Sequence, residues 1–402
     1  MSCSVLTLDR YSDISTSKIM EAGFTCTVFS SINELSCFLP EQQDVFCSIN
    51  FFKALEASPI QGIKNRYVVF QDSSNKPVGF GYFQLKHFIG TESLPELGQQ
   101  KDSLLKKLVK KGLNTWGIIC GNLLLTGEHG FSFDATISTQ KKAQMLRMAE
   151  NEIVKQAKTE NLSVSFSLYK DYASTPENED FAQLLQQLNF HKIEVQPSMM
   201  LDIKPNWASF NDYTAALAAK YRTRVNRAFK KSETIVCTQM TLEEVLENQE
   251  TLFQLYQKVV ERQSFSMFTL NPNYFYELKK ALGSKLIINA YWLEGTLIAF
   301  STGIDNDHEL NAHFLGLDDQ YNTSHQLYLR ILLDLIDMGI KQKNEVVNFS
   351  RTALEIKSSV GAEPIRPFVL LRAHNRLVNW LLPYFFDLLN PSESWTPRAP
   401  FK

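Results

Sequence analysis

The order hairpin, strand, helix, strand occurs twice along this chain, and no other feature of the sequence restricts its fold as strongly. In the first copy, "RYVVFQDSSNKPVGFGYFQLKHF" (66–88) sets two apolar runs around a polar Asp-Ser-Ser-Asn-Lys-Pro turn, which predicts a β-hairpin. The glycine-interrupted "WGIICGNLLLTGEHGFSF" (116–133) reads as a buried strand. A helical pattern over about 140–158 lines up Met145, Met148, Ile153 and Val154, and "LSVSFSLY" (162–169) alternates as a strand. In the second copy, "KLIINAYWLEGTLIAFSTGID" (285–305) is a hairpin turning at Glu294-Gly295, and "LNAHFLGLD" (310–318) is the next strand. A helix over about 324–341 turns Leu327, Ile331, Leu335 and Ile336 inward before the strand "EVVNFS" (345–350).

The hairpins lie about 220 residues apart but the helices and last strands only about 184, so the first copy carries an insertion, placed at 89–115. A domain boundary is expected near Pro205, where "MMLDIKPNW" closes the first unit and a new helix begins around Asn211. This divides the chain into 1–205 and 206–402.

With 402 residues, 44% of them apolar, the chain can bury a large core and is neither disordered nor a short binding module. A net charge of −2 supplies no global field for a polyanion, so any such contact needs a local basic patch. The six cysteines (Cys3, Cys26, Cys37, Cys47, Cys120 and Cys237) form no C-x-x-C pair and sit beside no histidine-rich segment. That pattern argues against a zinc module and a disulfide framework, and the expected compartment is the reducing cytoplasm. Asp9 and Arg10 interrupt the first residues before any signal-peptide core, and no run of 18 apolar residues occurs.

Four segments carry a family resemblance: "KYRTRVNRAFKK" (220–231), "HFLGLDDQY" (313–321), "NFSRTALEIKSSVGAEP" (348–364) and, in the first half, "CGNLLLTGEHG" (120–130). In these the chain resembles the acyltransferases of the GNAT type in their twin form, as in Fem-like and BioF2-like proteins. The resemblance implies an α/β fold of two tandem GNAT-like domains, each a mixed central sheet flanked by helices. It also implies transfer of an acyl or aminoacyl group, from a thioester or a charged transfer RNA, to an amine. One departure stands out. The family's glycine-containing pyrophosphate loop, Q/R-x-x-G-x-G/A, is represented here by "DDQYNTSHQLY" (318–328), which has no glycine. Thr323 or Ser324 is the expected cap that would present helix amides to an anion instead.

If 220–231 is helical, Lys220, Arg224, Arg227 and Lys231 form one stripe and Tyr221, Val225, Ala228 and Phe229 another. With Arg222 these cations form a candidate seat for a phosphorylated donor, or a solvated helix face. Arg351 and Lys357 are further candidate donor ligands, because the strand end puts Ser350 and Arg351 at the carboxyl edge of a sheet. The alternative for Arg351 is a structural salt bridge to Glu355.

Transfer to an amine needs a proton acceptor beside the reacting atom. His129 and His313 are expected on corresponding strands of the two copies, which sets them apart from His87, His191, His308, His325 and His374, though a strand histidine also serves as a core residue. Glu128, between Gly127 and Gly130, and Tyr321, beside Asp318 and Asp319, complete the catalytic candidates. There is no G-x-S-x-G, Walker or dinucleotide glycine motif, so direct transfer without a covalent intermediate is expected and no metal is called for.

Two segments hint at the acceptor. "KDSLLKKLVKKGL" (101–113) opposes leucines to Lys106, Lys107, Lys110 and Lys111, as a membrane-surface helix would. "RLVNWLLPYFFDLLNPSESW" (376–395) gathers Trp380, Tyr384, Phe385 and Phe386 about Pro383. Both segments also suit helices docked on their own domain. The resulting expectation is an N-acyltransferase using an acyl-CoA or acyl-carrier thioester, acting on a lipid-like or envelope amine acceptor, cytoplasmic and peripheral at the inner membrane face. The rivals are a Fem-like aminoacyl transferase using charged transfer RNA on a peptidoglycan precursor, and a non-catalytic recognition module.

Overall fold

A computed structural model describes residues 18–21, 23–35, 44–89, 114–262, 266–385 and 395–402. The helix expected over 101–113 and the segment 386–394 lie outside these residues. The chain builds two mixed sheets with helices packed on them.

Both hairpins form where the polar turns require. Ile63–Gln71 pairs antiparallel with Pro77–Ile89, the turn held by Asp72, whose carboxylate accepts the amides of Ser74 (2.8 Å) and Lys76 (3.0 Å). Leu286–Leu293 pairs with Thr296–Asn306 through Glu294 and Gly295, both at positive φ (51° and 78°), the backbone a two-residue hairpin demands. In each copy the second hairpin strand then pairs antiparallel with a third strand, Asn114–Cys120 or Glu309–Leu317. The chain crosses through a helix, Thr139–Thr159 or Leu327–Gln342, to a fourth strand running parallel to the third, Val164–Tyr172 or Val346–Asn348. The repeat read from the sequence is thus a repeat of sheet topology.

The next neighbour of each sheet comes from the other half. Phe368–Ala373 lies between Val164–Tyr172 and His191–Glu194 in the first sheet. Ser198–Asp202 lies between Val346–Asn348 and Glu363–Ile365 in the second. A cut at residue 205 would separate Ser198–Asp202 from both of its ladder partners.

A buried ionic cluster clamps one exchanged strand. Glu150, wholly buried on the Thr139–Thr159 helix, accepts Arg372 Nη2 (2.7 Å) and Ser167 Oγ (2.6 Å) and pairs with Arg147. Burial would raise its pKa, but the hydrogen bond with His374 and the charges of Arg147 and Arg372 hold it at about 2. The halves also share one apolar core, in which Phe46, Phe52 and Tyr82 join Tyr274, Phe275 and Phe300.

The helix expected over about 324–341 differs in one respect. It forms as two pieces, Asp319–His325 and Leu327–Gln342, broken at Gln326, whose φ is +51°. Thr323 and Ser324 lie inside the first piece and cap nothing. Asp318 caps the first piece, its carboxylate accepting Gln320 N at 3.1 Å, and Asn322 Oδ1 receives Tyr328 N at 3.0 Å at the start of the second. The first amides of a helix that restarts after a left-handed residue lack backbone acceptors, and the Asn322 side chain supplies one.

Candidate active site

The candidate site is a cavity of about 260 Å³ between the two halves, lined by Leu124 and Thr126 from the first and by His313, Phe314, Ser350 and Arg351 from the second. It exists because a ladder ends early. Glu309–Leu317 and Val346–Asn348 pair in parallel only from Glu309↔Val346 to Asn311↔Asn348. Beyond that, Phe349 and Ser350 bond instead to Met199 of the exchanged strand, and Ser350 Oγ alone reaches the Ala312 carbonyl, at 3.2 Å. The gap between the two strands forms part of the cavity wall.

His313 enters the cavity through a β-bulge. Ser301 pairs with Leu315 and Gly303 with Ala312, so His313 and Phe314 together oppose Thr302, whose hydroxyl exchanges hydrogen bonds with the Phe314 amide (2.9 Å) and carbonyl (2.7 Å). His313 Nε2 lies 2.7 Å from the hydroxyl of Tyr274, a wholly buried residue of the Tyr274–Leu282 helix. Desolvation lowers the imidazole pKa to about 3, so the ring is neutral at pH 7, and burial raises the Tyr274 phenol well above its usual value.

Arg351 lines the same cavity, on a loop where Ser350, Thr352 and Ala353 all have positive φ (59°, 67° and 48°). Three such residues within four positions persist only where their surroundings fix them. Lys357, 4% exposed, does so: its Nζ donates to the carbonyls of Phe349 (2.6 Å) and Arg351 (2.5 Å), with that of Ser350 at 3.4 Å. Lys357 therefore holds the loop from behind, and burial pushes its pKa down to about 7. Arg351 pairs with Asp171 across the halves, and Glu355 pairs with Arg398 instead. Asp171 also receives Lys170 Nζ at 2.5 Å, and the same nitrogen donates to the Leu125 carbonyl at 2.7 Å. Burial would raise the Asp171 carboxyl, but Lys170 and Arg351 together hold it below the usual range.

His129 is not on a strand. Gly121 (φ 119°) and Gly127 (φ 109°) bend the chain after Cys120, so His129 falls in a loop, where Nδ1 lies 2.7 Å from Asp44 Oδ2. Asp44 also receives Asn306 Nδ2 at 3.1 Å, so this imidazole faces a tie between the halves. Glu128 is exposed, its carboxylate accepting the Ala173 amide (2.7 Å) and Asn178 Nδ2 (2.6 Å). Tyr321 lies on the Asp319–His325 helix against His325.

The basic segment folds as the helix Ala219–Lys231, with Val225 and Ala228 buried and Lys220, Arg224, Arg227 and Lys231 exposed; Arg222 is half-buried. It packs on both helix pieces that bracket Gln326. Among the described residues none of these five cations is in an ion pair. Sequence reasoning singled out His313 and Arg351, which the cavity brings together, and passed over Asp171, Tyr274 and Asp44. No local motif marks those three.

In its fold the chain resembles proteins of the GNAT type in their Fem-like form. A crystal structure of FemX matches 91% of this chain and 99% of its own, with 11% identity and a TM-score of 0.52. A tandem GNAT protein from the clavulanic acid biosynthesis pathway matches 82% of this chain and 88% of its own (9% identity, TM-score 0.48). L-PGS from Bacillus licheniformis matches 90% and 98% (12% identity, TM-score 0.47). No family model matches the sequence, and no curated protein does.

Proposed function

We propose that the protein is an N-acyltransferase that moves an acyl group from a thioester donor to an amine in the cavity between its halves. The observation that carries this reading is the pairing, within one cavity, of a neutral histidine held by a buried tyrosine and an arginine held by a buried aspartate. With Nε2–H donating to the Tyr274 oxygen, His313 keeps the Nδ1 lone pair for the cavity. As the amine nitrogen bonds to the thioester carbon and the C–S bond breaks, the amine's proton passes to Nδ1 and the sulfur leaves as thiolate. Arg351 is suited to an anionic group of donor or acceptor, since its guanidinium is already oriented by Asp171.

The donor in this reading is acyl-CoA or an acyl-carrier thioester, with phosphates on the Ala219–Lys231 helix through Lys220, Arg222, Arg224 and Arg227. A lipid-like acceptor is supported by Leu377, Val378, Trp380 and Tyr384, which are at least half exposed beside the Arg376–Leu381 helix. No helix among the described residues is long and apolar enough to cross a membrane, so contact through these side chains would be peripheral. The unpaired cations of the Ala219–Lys231 helix equally favour charged transfer RNA as donor, the second reading.

The test mixes the protein with acetyl-CoA, palmitoyl-CoA and an aminoacylated transfer RNA, each with a panel of primary amines, and reads amide product by mass spectrometry. Amide from a thioester, lost in Arg351→Ala, supports the first reading. Product from RNA alone moves the assignment to the second, and no product from any donor overturns both.

A further inference from the structure

A second cavity, of about 290 Å³, lies between the Ile49–Ala57 helix and the first hairpin. Its walls divide by chemistry. Leu55, Ile60, Ile63 and Leu124 make an aliphatic side, and Glu56, Asn65 and Gln84 a polar one. Leu124 also lines the first cavity, so the two adjoin at this residue.

Two observations mark the polar side as built for a ligand. The Glu56 carboxylate accepts Ser31 Oγ (2.8 Å) and the Ile32 amide (2.7 Å), yet no lysine or arginine among the described residues pairs with it. Gln84, only 1% exposed, is fixed by the Leu123 amide (2.8 Å) and the Tyr82 hydroxyl (3.0 Å), so the wall beside Leu124 is rigid.

We propose that this second cavity binds an aliphatic primary amine, its ammonium on Glu56 and its carbon chain along Leu55, Ile60, Ile63 and Leu124. An alkylammonium matches both walls: the uncompensated carboxylate selects positive charge, and the aliphatic side selects a hydrocarbon chain over a polar one. An alkanoate would set two carboxylates together, and an alkanol would leave Glu56 without a counter-charge. The assignment rests on the acyltransferase reading only for its use, as the waiting position of the acceptor behind Leu124.

Titrating the full chain with n-octylammonium, n-octanol and n-octanoate by calorimetry, with no donor present, tests it. One saturable site per chain is expected for octylammonium, at least about tenfold tighter than octanol, with no octanoate binding. Glu56→Gln removes that preference. Ile63→Phe, which narrows the aliphatic side, abolishes binding in protein whose circular dichroism is unchanged. Equal affinity for the three probes, or octylammonium binding untouched by both substitutions, overturns the proposal. Because no acyl donor takes part, intact amine binding in a protein that transfers nothing would remove the enzymatic reading alone. Transfer without amine binding would remove this one alone.

Discussion

Arg351 and Asp171, 180 residues apart in sequence, form an ion pair that joins the two halves at the wall of the candidate active site. The arginine side chain keeps 26% of its surface while the aspartate keeps 2%, so the carboxylate is the buried anchor and the guanidinium the half that faces the cavity. Lys170 supplies a second cation to the same anchor.

Asp171→Asn leaves two cations without their shared counter-charge. The expected loss is about 3–5 kcal/mol in urea unfolding, because an unpaired buried charge costs more than the intact pair contributes. Arg351→Gln in that background should recover part of the loss. A change below about 1 kcal/mol in Asp171→Asn would mean that the pair is solvated and positions nothing.

Glu150 predicts how the exchanged strand is held. Its folded pKa of about 2 lies below the ordinary carboxyl value, so its stabilisation is full above about pH 4.5 and fades as pH falls toward 2. Glu150→Gln should therefore destabilise the protein at pH 7 and flatten the acid limb of its stability curve. Hydrogen exchange should show faster opening of Phe368–Ala373 in the variant than in the parent.

His313 acts in the next pH window up. Its folded pKa of about 3 lies below the 6.5 of a free imidazole, so below about pH 6.5 the unfolded chain takes a proton that the native ring refuses. Stability should fall as pH drops from 6.5 toward 3, by up to about 2 kcal/mol at pH 5. His313→Gln should remove that slope, seen as urea midpoints that converge with the parent's at acid pH.

In catalysis, His313→Gln should lower kcat by about 10²-fold with little change in the donor KM, as expected for a group engaged in proton transfer. Tyr274→Phe should cost less and shift the pH profile of kcat. An unchanged kcat in both would take proton transfer away from this pair.

Replacing Arg224, Arg227 and Lys231 together by Gln should weaken donor binding and reduce its salt dependence. These side chains are exposed, so thermal stability should stay within about 0.5 kcal/mol of the parent. Equal donor affinity at all salt concentrations would make this face a solvated one.

Hairpins, crossover helices and the cationic face of 220–231 were legible because each is written in neighbouring residues: a turn between apolar runs, or a stripe at helical spacing. His313 could be singled out from the repeat but not aimed, since its direction comes from a bulge set by pairing with Thr302 on another strand. His129 was misplaced onto a strand because the glycines that end that strand have positive φ only in the folded chain.

The twofold order of elements and the polarity of their faces are written along the chain, because turn chemistry and side-chain periodicity act over a few residues. Tertiary structure alone decided the rest. Exchange of Ser198–Asp202 and Phe368–Ala373 depends on which open sheet edge offers unpaired backbone groups, and the contacts of Arg351 with Asp171 and Tyr274 with His313 arise only once those edges have closed. No local pattern encodes such a choice, because its energy belongs to surfaces that meet only in the assembled fold.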